Sequence, residues 1–317
     1  MRKLHNFNYF IMILALFTLY MCSGCGGTDG TIDFSHLRPK AEMQQAAQAD
    51  IHGGEKPLRV AFASVMSPQK TRESYQVIVK ELSERLHRPV ALLQKKTYRE
   101  LNMLLSNGAV DIAFLSTGAY ASYIGSEPIE LLAMVKTNNT VRYHTYVIVP
   151  KDSTAKNFGD LRGKIFAFTD PLSYSGRLAV DYLLLSQQTT AEQYFDHYFY
   201  TYNHDKSLWA VANHLADGAS IDSQIYDYME YTNPHLLERI RILETLGDAP
   251  TGPVVVKSSL PEEEKRELQE IFFSLHQTAM VKKALQNAMI DQFVPPEPEL
   301  YYDLKSKYNL IHNLPER

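Results

Sequence analysis

The chain has 317 residues, of which 45% are hydrophobic and 21% are charged, and its formal net charge is -4 at pH 7. This composition is typical of a globular protein with a large core, and the length allows one large or two modest domains. Mild acidity without a basic stripe argues against a nucleic-acid partner. Both cysteines lie before residue 26, which excludes a disulfide framework and a thiolate metal site in the folded part.

The first residues have the features of an export signal. Met1-Arg2-Lys3 is positively charged, the apolar stretch Tyr9–Met21 is too short to span a bilayer comfortably, and small residues precede Cys25. The pattern resembles a bacterial lipoprotein signal, which predicts a signal peptide over residues 1–24 and a lipid on the thiol of Cys25. An ordinary signal peptide and an uncleaved anchor are the alternatives. Residues 25–56 lack a sustained apolar period and are predicted to be a flexible tether from the membrane.

From Pro57 onward, short apolar strands alternate with amphipathic helices. Strands are predicted at Leu58–Ala63, Val90–Leu93, Val110–Leu115, Tyr143–Pro150, Ile165–Phe168, Tyr198–Tyr202, Ala219–Ile221 and Gly252–Val256. A continuous helix is predicted over Pro261–Leu285. The alternation predicts an α/β fold with parallel βαβ units in two lobes, and the chain is expected to cross between the lobes near residues 146–150 and 250–256.

Three candidate ligand-binding residues follow the strands predicted at Leu58–Ala63 and Val110–Leu115. In parallel sheets, ligands collect at the carboxyl ends of the strands, where Ser67, Thr117 and Tyr120 are expected to lie. Tyr120 is equally compatible with a place in the core, because the chain contains 20 tyrosines.

The stretch Lys164–Leu185 reads as a buried strand, a hydroxyl-rich turn and a helix in succession. A helix start carries free N–H donors and a partial positive charge, so it can hold a tetrahedral oxyanion together with the hydroxyls of Ser173 and Ser175. Gly176 would let the ligand approach the backbone closely. The alternative is that either serine only caps the helix. A cation in the first turn of a helix opposes the helix dipole unless an anion lies nearby. For Arg177 that anion is either a ligand or Asp181.

Enzyme signatures are weak in this chain. Ser173, His204 and Asp222 include the residue types of a hydrolase triad, but the nucleophile-elbow pattern G-x-S-x-G is absent around the serines. The sequence also contains no H-E-x-x-H, P-loop or dinucleotide-binding pattern. No catalytic residue, cofactor or metal site is therefore predicted, and a hydrolase is the least favoured alternative.

Several motifs taken together resemble the phosphate/phosphite/phosphonate-binding proteins of bacterial ABC transporters. These motifs, within about Leu58 to Tyr308, are AFTDPLSYSGRL, TYNHD, VDIAFLSTGAY, KDS…DLRGK and DGASIDSQIYDY. The resemblance implies the type II periplasmic-binding-protein fold, with two Rossmann-like lobes and a ligand cleft between them. It places the first part of lobe 1 at residues 57–146, lobe 2 at 147–250, and the return segment of lobe 1 with the C-terminal helices at 251–317.

The resemblance also implies roles for individual residues. Ser173, Tyr174 and Ser175 would bind the phosphonate-type oxygens, with Tyr143 and His204 completing the shell. Asp222 would lie where an acidic group meets a non-oxygen substituent. The histidine is expected to donate better when protonated, so that affinity rises toward acid pH. A tyrosine at position 174, where relatives have a small or amide residue, would narrow the socket.

The function expected from these patterns is capture of a small phosphorus oxyanion (phosphonate, phosphite or phosphate) for an ABC importer. The protein would be a lipoprotein in the periplasm or at the cell surface, with a membrane permease as its partner. One alternative keeps the fold but reports the ligand to a membrane sensor kinase. Another keeps transport but changes the ligand to a different oxyanion or a small organophosphorus compound.

Overall fold

The computed structural model describes residues 56–63, 65–66 and 68–312, without the side chains of 68–70 and 312. The predicted signal peptide, Cys25 and Ser67 lie outside the described residues, as does the predicted tether except Lys56. No helix in the described ranges combines the length and apolar character that a membrane crossing needs.

The strands of the described part form two sheets. In chain order they are β1 (Leu58–Ala63), β2 (Val90–Lys95), β3 (Ile112–Phe114), β4 (Ile129–Lys136), β5 (Arg142–Pro150), β6 (Ile165–Phe168), β7 (His197–Tyr200), β8 (Gly218–Asp222), β9 (Ile240–Pro250), β10 (Pro253–Lys257) and β11 (Gln292–Val294). The first sheet has the order β11-β4-β10-β3-β1-β2, and the second has the order β7-β6-β8-β5-β9.

Both sheets are mixed. The predicted parallel βαβ units are present, since β1 pairs in parallel with β2 and β3, and β6 pairs in parallel with β7 and β8. The remaining partners are antiparallel: β10 with β3 and β4, β11 with β4, and β5 with β8 and β9. These antiparallel strands are the ones that carry the chain between the sheets or close a sheet edge.

The chain changes sheet twice. It leaves the first sheet after Lys136 and enters the second at Arg142, because β5 pairs along its whole length with β9. It returns between Pro250 and Pro253. The first passage therefore lies a few residues before the expected position at 146–150. The lobe limits 57–146, 147–250 and 251–317 stay a prediction.

Helices cover the faces of both sheets. The described α-helices are α1 (Pro68–Arg85), α2 (Tyr98–Ser106), α3 (Thr117–Ala121), α4 (Ala179–Ser186), α5 (Ala191–Tyr194), α6 (His204–Ala212), α7 (Ser223–Thr232), α8 (Pro234–Leu237), α9 (Glu262–Ser274), α10 (Ala279–Asn287) and α11 (Tyr302–His312). A π-helical turn, Tyr174–Leu178, precedes α4 directly.

The expected continuous helix over Pro261–Leu285 is wrong, because α9 passes through a short 3₁₀ turn, Leu275–Gln277, and α10 begins only at Ala279. Thr278 has extended backbone angles at this break. Its hydroxyl donates to Glu81 and accepts from Arg85, both on α1. Contacts with another helix thus hold a bend that local periodicity does not encode.

Each sheet has its own apolar core. In the first, the rings of Phe62, Phe114, Phe272 and Phe293 lie between β-strands and the helices α1 and α9. The second sheet is covered on both faces, by one cluster that includes Ile221 and Leu208 and by another that includes Phe166 and Leu184. Two independently packed sheets leave the space between them for a ligand.

Candidate ligand-binding site

A cavity of about 120 Å³ lies between the two sheets. Residues from the carboxyl ends of β1, β3, β6 and β8 line it, as expected for ligand sites in α/β folds. The lining residues predicted from the sequence are Thr117, Tyr143, Ser173, Ser175, His204 and Asp222. None of the described lining residues is lysine or arginine. Any anion bound here would therefore be held by neutral hydrogen-bond donors.

Ser173 is both a helix cap and a cavity residue. Its Oγ accepts a hydrogen bond of 3.0 Å from the backbone N–H of Gly176, so the capping alternative is correct for this serine. Capping does not remove it from the cavity, which it lines together with Ser175. The helix opens with a π-turn, a conformation found frequently at functional sites. The wider turn places two buried serines, at alternate positions, on the cavity wall.

Gly176 is required by packing. A Cβ at this position would lie 2.4 Å from Cβ and 2.7 Å from Oγ1 of Thr169. Its carbonyl also accepts a hydrogen bond of 3.0 Å from Thr169 N–H. Gly176 is not among the described residues that line the cavity. The structure thus shows close packing of Gly176 against Thr169, just after β6, and the predicted approach of a ligand to Gly176 stays a prediction.

Arg177 pairs with Asp181, one of the two partners considered from the sequence. Its Nε lies 2.6 Å from Asp181 Oδ2, and its guanidinium stacks 4.3 Å from the ring centroid of Phe168 and 4.8 Å from that of Tyr198. Burial raises the pKa of Asp181 to about 6, and the adjacent guanidinium acts against that rise. The guanidinium of Arg177 is thus paired within the second lobe, and Arg177 is not among the described residues that line the cavity.

His204, the first residue of α6, is 2% exposed and lines the cavity. Its Nδ1 accepts a hydrogen bond of 3.2 Å from the backbone N–H of Asp222, and Thr169 Oγ1 lies 3.3 Å from the same nitrogen. The neutral ring then carries its hydrogen on Nε2, which remains a donor. Burial lowers the pKa of His204 to about 3. The expected gain of affinity through histidine protonation is therefore wrong, because the proton would displace a bonded N–H and charge a buried ring.

Asp222 ends β8 and caps α7. Its Oδ1 accepts a hydrogen bond of 2.7 Å from the backbone N–H of Gln224, so the capping role considered from the sequence is present. The carboxyl group also lines the cavity. Burial raises its pKa to about 7, and the negative charge of Asp227 adds to the rise, whereas the backbone hydrogen bonds from Gln224 and Ile225 act against it. The cavity thus contains one acid that titrates near neutral pH.

Tyr143 and Thr117 complete the predicted group. The hydroxyl of Thr117 donates a hydrogen bond of 2.8 Å to the carbonyl of Pro250, next to the return passage between the sheets. Burial raises the pKa of Tyr143 well above its ordinary value, and the nearby hydroxyls of Thr117 and Ser175 act against that rise. The phenol is therefore a neutral donor beside both hydroxyls.

Two predicted residues lie elsewhere. Tyr120 packs edge-on against Tyr301, with 5.0 Å between ring centroids, and Lys305 lies over its ring, so the core alternative is the better description. Tyr174 directs its hydroxyl to the carbonyl of Asp248 at 3.4 Å, and its ring meets that of Tyr143 edge-on at 6.3 Å. Neither is among the described lining residues. Tyr174 is thus placed behind Tyr143, where it supports that ring.

Several cavity residues were missed by sequence analysis. Tyr75, Tyr98, Ser116 and Gln224 also line the cavity. Tyr98 follows the helix cap Thr97 at the carboxyl end of β2, and Gln224 follows Asp222 by two positions. The rule that ligands collect at strand ends could have found both, whereas Tyr75 reaches the cavity from the middle of α1.

Metal binding has no support in the described ranges, where no group of three or more His, Cys, Asp or Glu side chains is placed to hold a metal ion.

Comparison with protein families identifies the chain. The family model described as "ABC transporter, phosphonate, periplasmic substrate-binding protein" matches residues 60–301, which is most of the sequence. The chain belongs to this family. It is therefore a substrate-binding component of an ABC transporter, and the family places it outside the cytoplasm.

Individual relatives agree with this assignment. The chain is 23% identical over 239 residues to the phosphonates-binding periplasmic protein of Escherichia coli K12, covering 73% of this chain and 70% of the relative. Among solved structures, it matches a binding protein component of an ABC phosphonate transporter from Pseudomonas aeruginosa with a TM-score of 0.74 and 20% identity, covering 81% of this chain and 87% of the other.

A further solved structure has the same degree of similarity in fold. PhnD1 from Prochlorococcus marinus, in complex with methylphosphonate, matches with a TM-score of 0.74 and 16% identity, covering 82% of this chain and 99% of the other. At these identities the structures show the fold alone. The fold is that of the type II periplasmic binding proteins, with two α/β lobes and a cleft between them, as predicted.

Proposed function

We propose that this family member captures a small phosphonate, or the related phosphite or phosphate ion, and delivers it to a membrane permease. The observation that supports this most directly is the convergence of Ser173, Ser175, Tyr143 and His204 on one cavity whose described walls include no lysine or arginine. Neutral donors can replace the water shell of an oxyanion and still release it, which suits a carrier. Relatives named for phosphonate binding, one of them with methylphosphonate bound, support the same ligand class.

The helix start supplies backbone donors as well as side chains. Tyr174 and Ser175 are the first residues after the cap Ser173, and the first N–H groups of a helix have no partner within it. They also carry the positive end of the helix dipole. In the proposed complex these amides and the serine hydroxyls bind the phosphoryl oxygens, His204 donates through Nε2, and Asp222 faces the fourth substituent on phosphorus.

We propose that binding is non-covalent and coupled to closure of the lobes. Residues of both lobes line the cavity, so a ligand held by Ser173 on one side and Thr117 on the other favours the arrangement in which the lobes are close. The permease then recognises this arrangement. Turnover of the ligand is not required at any step.

We also propose that Cys25 carries a lipid and that residues 25–56 tether the folded part to a membrane. The charged start, the short apolar stretch and the small residues before Cys25 support the proposal. Expression of the full chain with a labelled fatty acid tests it. Label and membrane association should both be lost in Cys25→Ala, whereas label that persists in this variant would contradict lipidation at this residue.

A thermal-shift screen tests the ligand class. Phosphate, phosphite, methylphosphonate, 2-aminoethylphosphonate and sulfate are compared at equal concentration. At 100 times its Kd, a ligand that binds only the native state adds about 2.7 kcal/mol to the free energy of unfolding, which raises the melting temperature measurably. At least one phosphorus oxyanion should do so. A shift by sulfate alone, or by none of the five, would contradict the proposal.

A further inference from the structure

The side chain of Gln224 is an unused hydrogen-bonding group at the cavity. Gln224 lies in the first turn of α7 and lines the cavity two residues after Asp222. Its side-chain nitrogen Nε2 is buried and has no hydrogen-bond partner in the part of the chain that the structure describes. Buried amide groups are nearly always paired, because an unpaired one gives up its bonds to water without return. A ligand bound in the cavity could supply a partner for this amide.

A second cavity lies on the other side of the same residue. It also has a volume of about 120 Å³, and it shares Thr137, Gln224, Met289 and Ile290 with the first cavity. Its other walls include Asn138, Asp227, Tyr228 and Asp291, which are polar. Gln224 thus stands at the boundary between the space that contains the serines and a polar space beyond it. A ligand substituent that reaches Gln224 meets polar groups.

We infer that Gln224 determines specificity by binding the substituent on phosphorus, and that the preferred ligand is a phosphonate whose substituent carries a hydroxyl group. The inference rests on the proposed function and names its ligand more closely. A hydroxyl accepts a hydrogen bond from an amide N–H and can donate one to the neighbouring carboxyl group of Asp222. The last torsion of a glutamine side chain is broad, so a small rotation turns the amide toward such a ligand.

Other substituents fit this pair of residues less well. An alkyl group leaves the amide of Gln224 unpaired, and an unpaired buried donor weakens binding by about tenfold or more. An ammonium group has donors only, so it can pair with Asp222 but cannot accept a bond from Nε2–H. Of these three substituents, only the hydroxyl both accepts a bond from Gln224 and donates one to Asp222.

The test compares two phosphonates with the same number of heavy atoms. The Kd values of hydroxymethylphosphonate and ethylphosphonate are measured by calorimetry on the full chain in wild type and in Gln224→Met, which keeps the length of the side chain and removes the amide. In wild type the Kd of hydroxymethylphosphonate should be at least about tenfold lower. In the variant the two Kd values should agree within about threefold. The hydroxyl loses its hydrogen bond from the amide, whereas the ethyl group gains an apolar contact with the methionine side chain.

Two additional variants make the result decisive. Gln224→Leu replaces the first variant if Gln224→Met does not fold. Gln286→Leu is the matched control, since Gln286 is exposed and lines only the second cavity, and it should keep the wild-type preference. If both phosphonates bind but the ratio of their Kd values is the same in wild type and in the Gln224 variants, the inference is overturned. If neither phosphonate binds, the inference fails, and the thermal-shift screen then decides the proposed function: it stands if another phosphorus oxyanion raises the melting temperature and fails if none does.

Discussion

The backbone N–H of Asp222 donates a hydrogen bond of 3.2 Å to Nδ1 of His204. This bond joins two titratable residues of the cavity. Burial shifts their pKa values in opposite directions, and each shift favours the uncharged form of the side chain. The pKa of His204 falls to about 3 and that of Asp222 rises to about 7. Near pH 6 the pair is therefore uncharged in the native state, and its pH dependence can be worked out in detail.

The two groups should compensate each other in the pH dependence of stability. Between about pH 4.5 and 6, native His204 is neutral and Asp222 protonated, whereas in the unfolded chain the histidine is mostly charged and the aspartate mostly ionised. Each state then binds one proton, so the pair adds no slope to the free energy of unfolding. Removing either member should expose the slope of the other.

Single substitutions test this compensation by urea unfolding at pH 4.5 and 6.5. In Asp222→Asn only His204 remains, with its lowered pKa, and stability relative to wild type should fall as pH falls, by up to about 1.4 kcal/mol per pH unit. In His204→Gln only Asp222 remains, with its raised pKa, and stability relative to wild type should instead fall as pH rises from 4.5. The same trend in both variants would contradict the assigned shifts.

Ligand affinity should follow Asp222 and not His204. Above about pH 7 the ionised carboxyl group of Asp222 repels an anion in the cavity, and protonation removes this repulsion. The ratio of the methylphosphonate Kd in wild type to that in Asp222→Asn should thus rise above pH 7, by at most about tenfold per pH unit, and approach a constant at pH 5.5. Use of the ratio cancels the titration of the ligand. A ratio that does not change with pH would show that Asp222 does not face the anion.

The double variant Ser173→Ala/Ser175→Ala should lose the thermal shift caused by methylphosphonate. It removes two hydroxyls from the cavity and one helix cap, and the cap alone costs about 1 kcal/mol of stability. Thr97→Ala is the matched control, because Thr97 caps α2 with a full capping box and does not line the cavity. The control should lower the melting temperature by a similar amount and keep the full ligand shift. Binding that persists in the double variant would show that the anion does not bind at this turn.

Gly118→Ala should weaken binding more than it lowers stability. A Cβ on Gly118, in the first lobe, would lie 2.2 Å from the carbonyl oxygen of Leu172 and 2.6 Å from the backbone nitrogen of Tyr174, in the second. These atoms are backbone and cannot rotate away, but separation of the lobes relieves the overlap. Calorimetry should show a loss of affinity of about tenfold or more, with a nearly unchanged melting temperature of the ligand-free protein.

A matched control for this substitution is available within the second lobe. At Gly159 an added Cβ would meet only the side chain of Asn157, whose Oδ1 would lie 2.8 Å away, and that side chain can move. Gly159→Ala should therefore bind methylphosphonate as wild type does. If Gly118→Ala also binds normally, the contact between the lobes is not part of the binding-competent arrangement.

The sequence predicted those parts of the fold whose signals are local. The run Ile165–Phe168 followed by Ser173 specified a strand and a capped turn, and both are present. Strands β4, β9 and β11 were not predicted, since they lie at or near sheet edges and are defined by antiparallel partners far along the chain. Pairing of this kind depends on residues that a window of neighbours does not contain.

The site could be predicted only where its residues follow strands in the expected order. His204 and Asp222 were found in this way, but the bond between them joins residues 18 positions apart and reverses the expected effect of pH on the histidine. Tyr120 satisfied the same strand-end rule, yet its ring turns toward Tyr301 on the C-terminal segment. Side-chain direction at the end of a strand depends on packing, which periodicity does not report.

The absence of lysine and arginine from the described walls of the cavity has a consequence for where such a receptor can work. Dissolved salt screens the attraction between net charges over about 10 Å at 0.1 M, but it acts little on short contacts to hydroxyl, phenol and imidazole groups. Capture by this chain should therefore be about as tight in brackish surroundings as in fresh water.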